Sequence, residues 1–139
     1  QGDSLLPLLQ GKVGAARDAV YAEKTFHDCY DPMRCVRTRR YKYIRYFEKS
    51  SHHRVPGDCL SGGANRELGP VERHGMEELF DLAQDPHETS NLAEDAACAD
   101  VLGKMRALLL GWMQDTEDPL LQGPVGSPFY EKSLRELGV

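Results

Sequence analysis

One stretch of helical periodicity late in the chain constrains the fold more than any other feature. From about residue 95 to 114, apolar side chains recur at the spacing of one helix face: Val101, Met105, Leu108, Leu109 and Trp112. A helix with a single apolar face buries that face against another element. We therefore expect a long helix here that covers one side of a sheet.

The segments before this helix have the pattern of short antiparallel strands. Within residues 19–25, Val20, Ala22 and Lys24 alternate with Tyr21 and Glu23, as in a strand. Residues 34–47 are rich in Val, Thr, Tyr and Ile, and residues 78–82 have the pattern of another short strand. A strand over all of 34–47 would be unusually long, so we divide it at Arg39-Arg40 into a hairpin. The sequence lacks the strand-helix-strand repeat that would indicate a parallel sheet. We predict an α+β fold, a small antiparallel sheet of about four strands packed against the long C-terminal helix.

Two short helices and a long loop complete the prediction. Ser4 and Pro7 among leucines are typical of a helix start within residues 1–14. Residues 131–137 predict a last helix that ends before a glycine. Residues 49–75 contain few large apolar groups and predict an irregular loop, which at this length is usually functional or mobile.

Composition limits the partners and the metal chemistry. The chain has 139 residues, enough for one domain, and its net charge of -5 argues against a general nucleic-acid binder. No apolar run approaches the about 20 residues of a membrane-spanning helix. The cysteines form no Cys-x-x-Cys pair, so we expect no structural zinc and assign no metal ligand. Cys29 and Cys35 either meet across a loop or remain free thiols, and Cys59 and Cys98 are equally open.

A basic run on the predicted hairpin is a candidate anion-binding surface. Its cations, interleaved with tyrosines, are Arg34, Arg37, Arg39, Arg40, Lys42 and Arg45. Guanidinium groups match phosphate, carboxylate and sulfate. The competing interpretation is a solvated face whose cations pair with the acidic residues between 72 and 100.

The residues just before this hairpin also carry polar chemistry. The imidazole of His27 beside Asp28 is suited to acid–base work or to binding a sugar hydroxyl, and a structural turn explains the same pair. Arg34 lies where a loop leads into the predicted strand, a position from which a side chain can reach a site, and we predict that it binds a ligand. Alternatively, Arg34 ties the loop to an acidic partner within the domain.

Three parts of the sequence together resemble the sulfatase family. They are residues 3–11, residues 34–44, and residues 78–93 with Asp85-Pro86-His87-Glu88. Within that family, residues 30–38, 85–89 and 112–119 are similar to the heparan N-sulfatases. In sulfatases this order of motifs belongs to the C-terminal subdomain. The resemblance implies a four-stranded antiparallel sheet on a helix that leans on a catalytic domain and helps wall its substrate cleft.

The resemblance also implies that the catalytic chemistry lies outside this sequence. Sulfatases hydrolyse sulfate esters or sulfamates with a formylglycine made from the cysteine of Cys-x-Pro-x-Arg, beside a calcium ion, in a large N-terminal domain. That motif is absent here, so neither Cys29 nor Cys35 is the nucleophile. We expect residues 1–14 to be the linker helix from that domain and residues 15–139 to be the subdomain. Alone it should be inactive, with no catalytic residue and no cofactor.

The family further implies partners and substrate contacts. Expected partners are the N-terminal catalytic domain and a sulfated saccharide such as N-sulfoglucosamine, without nucleic acid or membrane. The compartment would be periplasmic, extracellular or lysosomal. The implied substrate-binding residues are His27, Asp28, Tyr30 and Arg34.

Two further expectations remain open. The N-terminal leucines Leu5, Leu6, Leu8 and Leu9 would be uncovered without a catalytic domain and would promote self-association. The alternative to a sulfatase fragment is a free-standing module whose basic hairpin, residues 34–46, binds acidic polysaccharide or nucleic acid. A reading frame that continues upstream into Cys-x-Pro-x-Arg would separate the two.

Overall fold

The fold is an antiparallel sheet with one long helix against it. The computed structural model describes residues 4–14, 17–26, 30–49 and 75–139. The strands are β1 (Ala19–Phe26), β2 (Tyr30–Thr38), β3 (Tyr41–Tyr46) and β4 (Glu77–Asp81), and the helices are α1 (Leu6–Leu9), α2 (Ala99–Asp115) and α3 (Pro128–Leu137). The 3-10 turns Ala96–Cys98 and Pro119–Leu121 flank α2. The predicted α+β class is confirmed.

The strands follow one another in the sheet as they do along the chain. The order is β1-β2-β3-β4 and each neighbouring pair is antiparallel. The turn between β2 and β3 falls at Arg39-Arg40, where the hairpin was predicted. Thr38 Oγ1 stabilises it by accepting from the Tyr41 N–H at 2.9 Å. The sheet is therefore a meander in which β1 is an edge strand.

One face of this sheet and one face of α2 form the hydrophobic core. Its buried members are Val36, Tyr43, Leu79, Leu102, Met105, Leu109, Met113 and Leu120. The helix face differs from the predicted one, because Leu108 is 42% exposed and Leu102 and Met113 are buried instead. Two overlapping apolar stripes run along α2, and contact with the sheet selects one. Trp112, on the other stripe, stacks on Tyr21 of β1 with ring centroids 5.0 Å apart.

Capping groups explain where the helices begin and end. The predicted start of the long helix near residue 95 is a 3-10 turn, in which the Asp95 carboxylate accepts from the Ala97 N–H at 2.9 Å. The α-helical part begins at Ala99. Helix α3 begins three residues earlier than predicted, because Ser127 Oγ accepts from the Tyr130 N–H at 3.1 Å. It ends at Gly138, whose φ of +79° favours glycine.

Several sequence predictions fall outside the described residues. Of the irregular loop predicted for residues 49–75, residues 50–74 lie outside the described part of the chain. Cys29 and Cys59 also lie outside it. Cys35 and Cys98 are free thiols. Among the described helices, none has the length and apolar character needed to cross a membrane.

Candidate functional site at the β1–β2 corner

Two of the four predicted substrate-binding residues lie on β2, close to the corner where β1 ends and β2 begins. Tyr30 is the first residue of β2, and Arg34 lies further along the same strand. His27 and Asp28 lie outside the described residues. The structure therefore locates Tyr30 and Arg34.

Arg34 is a buried cation whose hydrogen-bonding groups are all used within this domain. Its side chain is 2% exposed. Nε and Nη2 donate to the two carboxylate oxygens of Asp118, at 2.5 and 3.0 Å. Nη1 donates to the carbonyl oxygens of Lys24 and Met33, each at 2.9 Å, and Nη2 also donates to Thr25 Oγ1 at 3.2 Å. A guanidinium has five N–H donors, so none is left for a ligand.

These contacts correspond to the alternative interpretation of Arg34, in which it ties the loop to an acidic partner in the same domain. A substrate sulfate would have to displace one of the buried bonds to reach this guanidinium. The partner is Asp118, which is 4% exposed. Removing one member of such a buried pair costs about 3–5 kcal/mol, because the remaining charge stays buried.

Asp118 has a second role at the start of the 3-10 turn that follows α2. Its Oδ1 accepts from the Leu120 N–H at 3.0 Å, as the N-cap of that turn. Burial raises the pKa of this carboxyl, but the hydrogen bonds from Arg34 and Leu120 and the charge of Arg34 outweigh it and lower the pKa below its ordinary value. The carboxylate is therefore ionised at neutral pH.

Tyr30 and Asp31 make further contacts at the same corner. Tyr30 Oη accepts from the Val125 N–H at 3.1 Å, and its ring lies 5.1 Å from that of Phe26. Asp31 is buried, and its Oδ2 accepts from Lys24 Nζ at 2.7 Å. The corner is thus held both across the two strands and from the segment after α2.

Sequence reasoning missed the partners of this corner. Asp118 was given no role from the sequence, although an aspartate before a proline is the pattern of an N-cap with proline at N1. Thr25 and the Val125 N–H have no local signal, because their roles depend on groups distant in sequence.

The basic hairpin is mostly neutralised by acidic residues of β4 and the loop after it. Arg40 donates to both carboxylate oxygens of Asp81 at 2.8 to 3.2 Å. Lys42 pairs closely with Glu88, and Arg37 lies 4.0 Å from the same carboxylate. Other pairs are Arg45 with Glu77, at 3.6 Å, and Arg34 with Asp118. Among the described residues of the run, Arg39 alone has no acidic partner. Because the other cations are paired, the structure favours a solvated, paired face over an anion-binding surface.

The described residues do not fit the metal and nucleophile of a sulfatase centre. No group of three or more His, Cys, Asp or Glu among them is placed to hold a metal ion. Cys35 lies within β2, and burial raises the pKa of its thiol, which keeps it protonated. The part of the chain that the structure describes therefore offers neither a metal site nor a reactive thiolate.

No family model matches the chain. An ulvan-active sulfatase of Formosa agariphila is 33% identical over 137 residues, which cover 91% of this chain and 27% of that protein. Human N-sulphoglucosamine sulphohydrolase is 27% identical over 143 residues, which cover 90% of this chain and 28% of that protein. A solved 2-O GAG sulfatase has a TM-score of 0.60 and 29% identity, covering 91% of this chain and 22% of that one.

Over about nine-tenths of its length the chain is similar to sulfatases. It spans about a quarter of the length of the curated relatives it matches, since they are covered to 27% and 28%. The short matches and the α+β fold confirm the prediction of a sulfatase C-terminal subdomain. A sulfamidase is among the relatives, but the ulvan-active sulfatase is more identical, so the matches do not single out the sulfamidases.

Proposed function

We propose that this chain is the part of a sulfatase that helps to bind a sulfated saccharide while a separate catalytic domain hydrolyses its sulfate ester or sulfamate. The observation that carries the proposal is the match to sulfatases over about nine-tenths of this chain but only about a quarter of theirs. The finer substrate proposal is N-sulfoglucosamine, which has support from the human relative.

The two parts of the enzyme would divide the work. The catalytic domain would supply formylglycine and calcium. This chain would supply hydrogen-bonding groups at the β1–β2 corner, with His27, Asp28 and Tyr30 as proposed contacts to the sugar. Specificity for a saccharide would then depend on pocket contacts made here, while attack on sulfur would not.

Substitution of His27 in the polypeptide that joins this chain to its catalytic domain tests the substrate role. We expect His27→Ala to lower kcat/KM for N-sulfoglucosamine or a 2-O-sulfated disaccharide by about 10- to 100-fold, the equivalent of one hydrogen bond to a charged group. Hydrolysis of an aryl sulfate should be unchanged, because that substrate has no sugar. Unchanged kinetics on every saccharide would contradict the proposal.

His87→Ala is the matched control for that substitution. His87 is exposed in the loop after β4, so its loss should leave both substrates unaffected. A panel of N-sulfated, 2-O-sulfated and 6-O-sulfated sugars measured on the wild type would separate the sulfamidase proposal from the other substrate classes.

The 139-residue chain by itself should hydrolyse neither an aryl sulfate nor N-sulfoglucosamine and should not bind calcium tightly. The reason is that its described residues contain no suitable acidic cluster and its sequence no formylglycine motif. Colorimetric assay and calorimetric titration with calcium measure the two expectations. Turnover above the blank would refute the division of work.

A further inference from the structure

We propose that residues 118–125, the segment that follows α2, act as a clamp that positions the β1–β2 corner for substrate binding, with Asp118 as the principal positioning residue. The functional half of this inference rests on the proposed function. Its structural half rests on hydrogen bonds within the described residues.

Two separate ties connect the clamp to the corner. Asp118 holds the guanidinium of Arg34 through both carboxylate oxygens, at 2.5 and 3.0 Å. The Val125 N–H donates to Tyr30 Oη at 3.1 Å. The first tie reaches β1 through Arg34, and the second reaches the first residue of β2, so the two strands on either side of the corner are held by one segment.

The first tie acts where β1 most needs support. The pairing of β1 with β2 shifts register between Lys24 and Phe26, so the ladder is irregular there. At this point the Lys24 carbonyl and the Thr25 hydroxyl accept from Arg34. Among the described strands, β1 pairs with β2 alone. The guanidinium, oriented by Asp118, therefore supports β1 at the point where its pairing with β2 is irregular.

The two hydrogen-bonded ties of the clamp are distinct from the apolar packing that keeps the sheet on α2, to which Leu120 of the same segment contributes. The core side chains of β2, β3 and β4 are Val36, Tyr43 and Leu79, which lie further along the strands and pack on the helix. Loosening the clamp should therefore free the corner first and leave the core packed. This difference separates positioning from general stabilisation.

Asp118→Asn is the substitution that isolates the tie. Asparagine is as good an N-cap as aspartate, so the turn at Pro119–Leu121 keeps its cap. One acceptor oxygen and the negative charge that orient Arg34 are lost. Asp115→Asn is the matched control, since Asp115 is exposed at the end of α2.

Hydrogen exchange on the 139-residue chain tests the structural half. In Asp118→Asn we expect the amides of residues 24–26, 30, 31, 33 and 34 to exchange about tenfold faster, and the increase at residues 102–113 to be smaller. Tyr30→Phe, which removes the second tie, should speed exchange at residues 30–31 by about threefold. Unchanged rates at the corner, or an equal increase in every element, would overturn the clamp.

Kinetics of the polypeptide that includes the catalytic domain test the functional half. Asp118→Asn should raise KM for the saccharide about tenfold with kcat unchanged, and leave an aryl sulfate unaffected. If exchange rises at the corner and His27→Ala raises KM but Asp118→Asn does not, the positioning role is wrong. If His27→Ala has no effect either, the proposed function fails, and the exchange rates alone decide whether the clamp holds the corner.

Discussion

Replacement of Arg34 by alanine should destabilise this domain more than any other change to its basic hairpin. The substitution leaves the Asp118 carboxylate buried without a counter-charge, which costs about 3–5 kcal/mol. It also removes the donors to the carbonyl oxygens of Lys24 and Met33. For a domain of about this size each kcal/mol lowers Tm by about 2–4 °C, so the expected loss is roughly 6–20 °C.

Thermal and urea unfolding followed by circular dichroism measure this loss. Arg39→Ala is the control, because Arg39 lies on the same hairpin, is exposed and should change stability by no more than about 0.5 kcal/mol. The double variant Arg34→Met/Asp118→Leu should recover part of the stability, since it leaves no buried charge. Equal Tm values for Arg34→Ala and Arg39→Ala would refute the reasoning.

The same substitution in the polypeptide with its catalytic domain separates the two interpretations of Arg34. We expect its activity to fall together with its Tm, because all its donors are used internally. A loss of kcat/KM by one to two orders of magnitude at an unchanged Tm would instead restore Arg34 as a substrate ligand.

Three further predictions concern other groups. Because the pKa of Asp118 is lowered, the stability that its carboxylate contributes is present above the ordinary value of 3.8 and is lost as the pH falls below it. From about pH 5 to 3, the Tm of the wild type should therefore fall more steeply than the Tm of Asp118→Asn. Parallel curves would contradict this expectation. Burial and the hydrogen bond to Glu77 raise the pKa of Tyr43 to about 12. In Glu77→Gln, ultraviolet titration should show that this phenol ionises closer to its ordinary value of 10.0. An unchanged titration curve would mean that the hydrogen bond contributes nothing to the raised pKa. Leu6 and Leu9 of α1 are 56% and 82% exposed, so Leu6→Ser/Leu9→Ser should reduce self-association in light scattering, whereas a monomeric wild type would remove the premise.

Much of the fold follows from local sequence. The hairpin at Arg39-Arg40, the strand predicted at residues 19–25 and the helix predicted at about residues 95–114 all formed to within a few residues, because alternation, turn residues and helical spacing act between near neighbours. Even there, the choice between the two apolar stripes of α2 was not local. Contact with the sheet buried Leu102 and Met113 and left Leu108 exposed.

The candidate site shows the opposite balance. The sequence alone predicted a functional role for residues around Tyr30 and Arg34, and a family resemblance implied a sulfated sugar as the ligand. It left open whether Arg34 binds a ligand or a partner within the domain. That depended on Asp118, which is 84 residues away along the chain and becomes a neighbour only when α2 packs on the sheet. A buried charge takes its role from the groups that surround it in space, and tertiary packing alone brings those groups together.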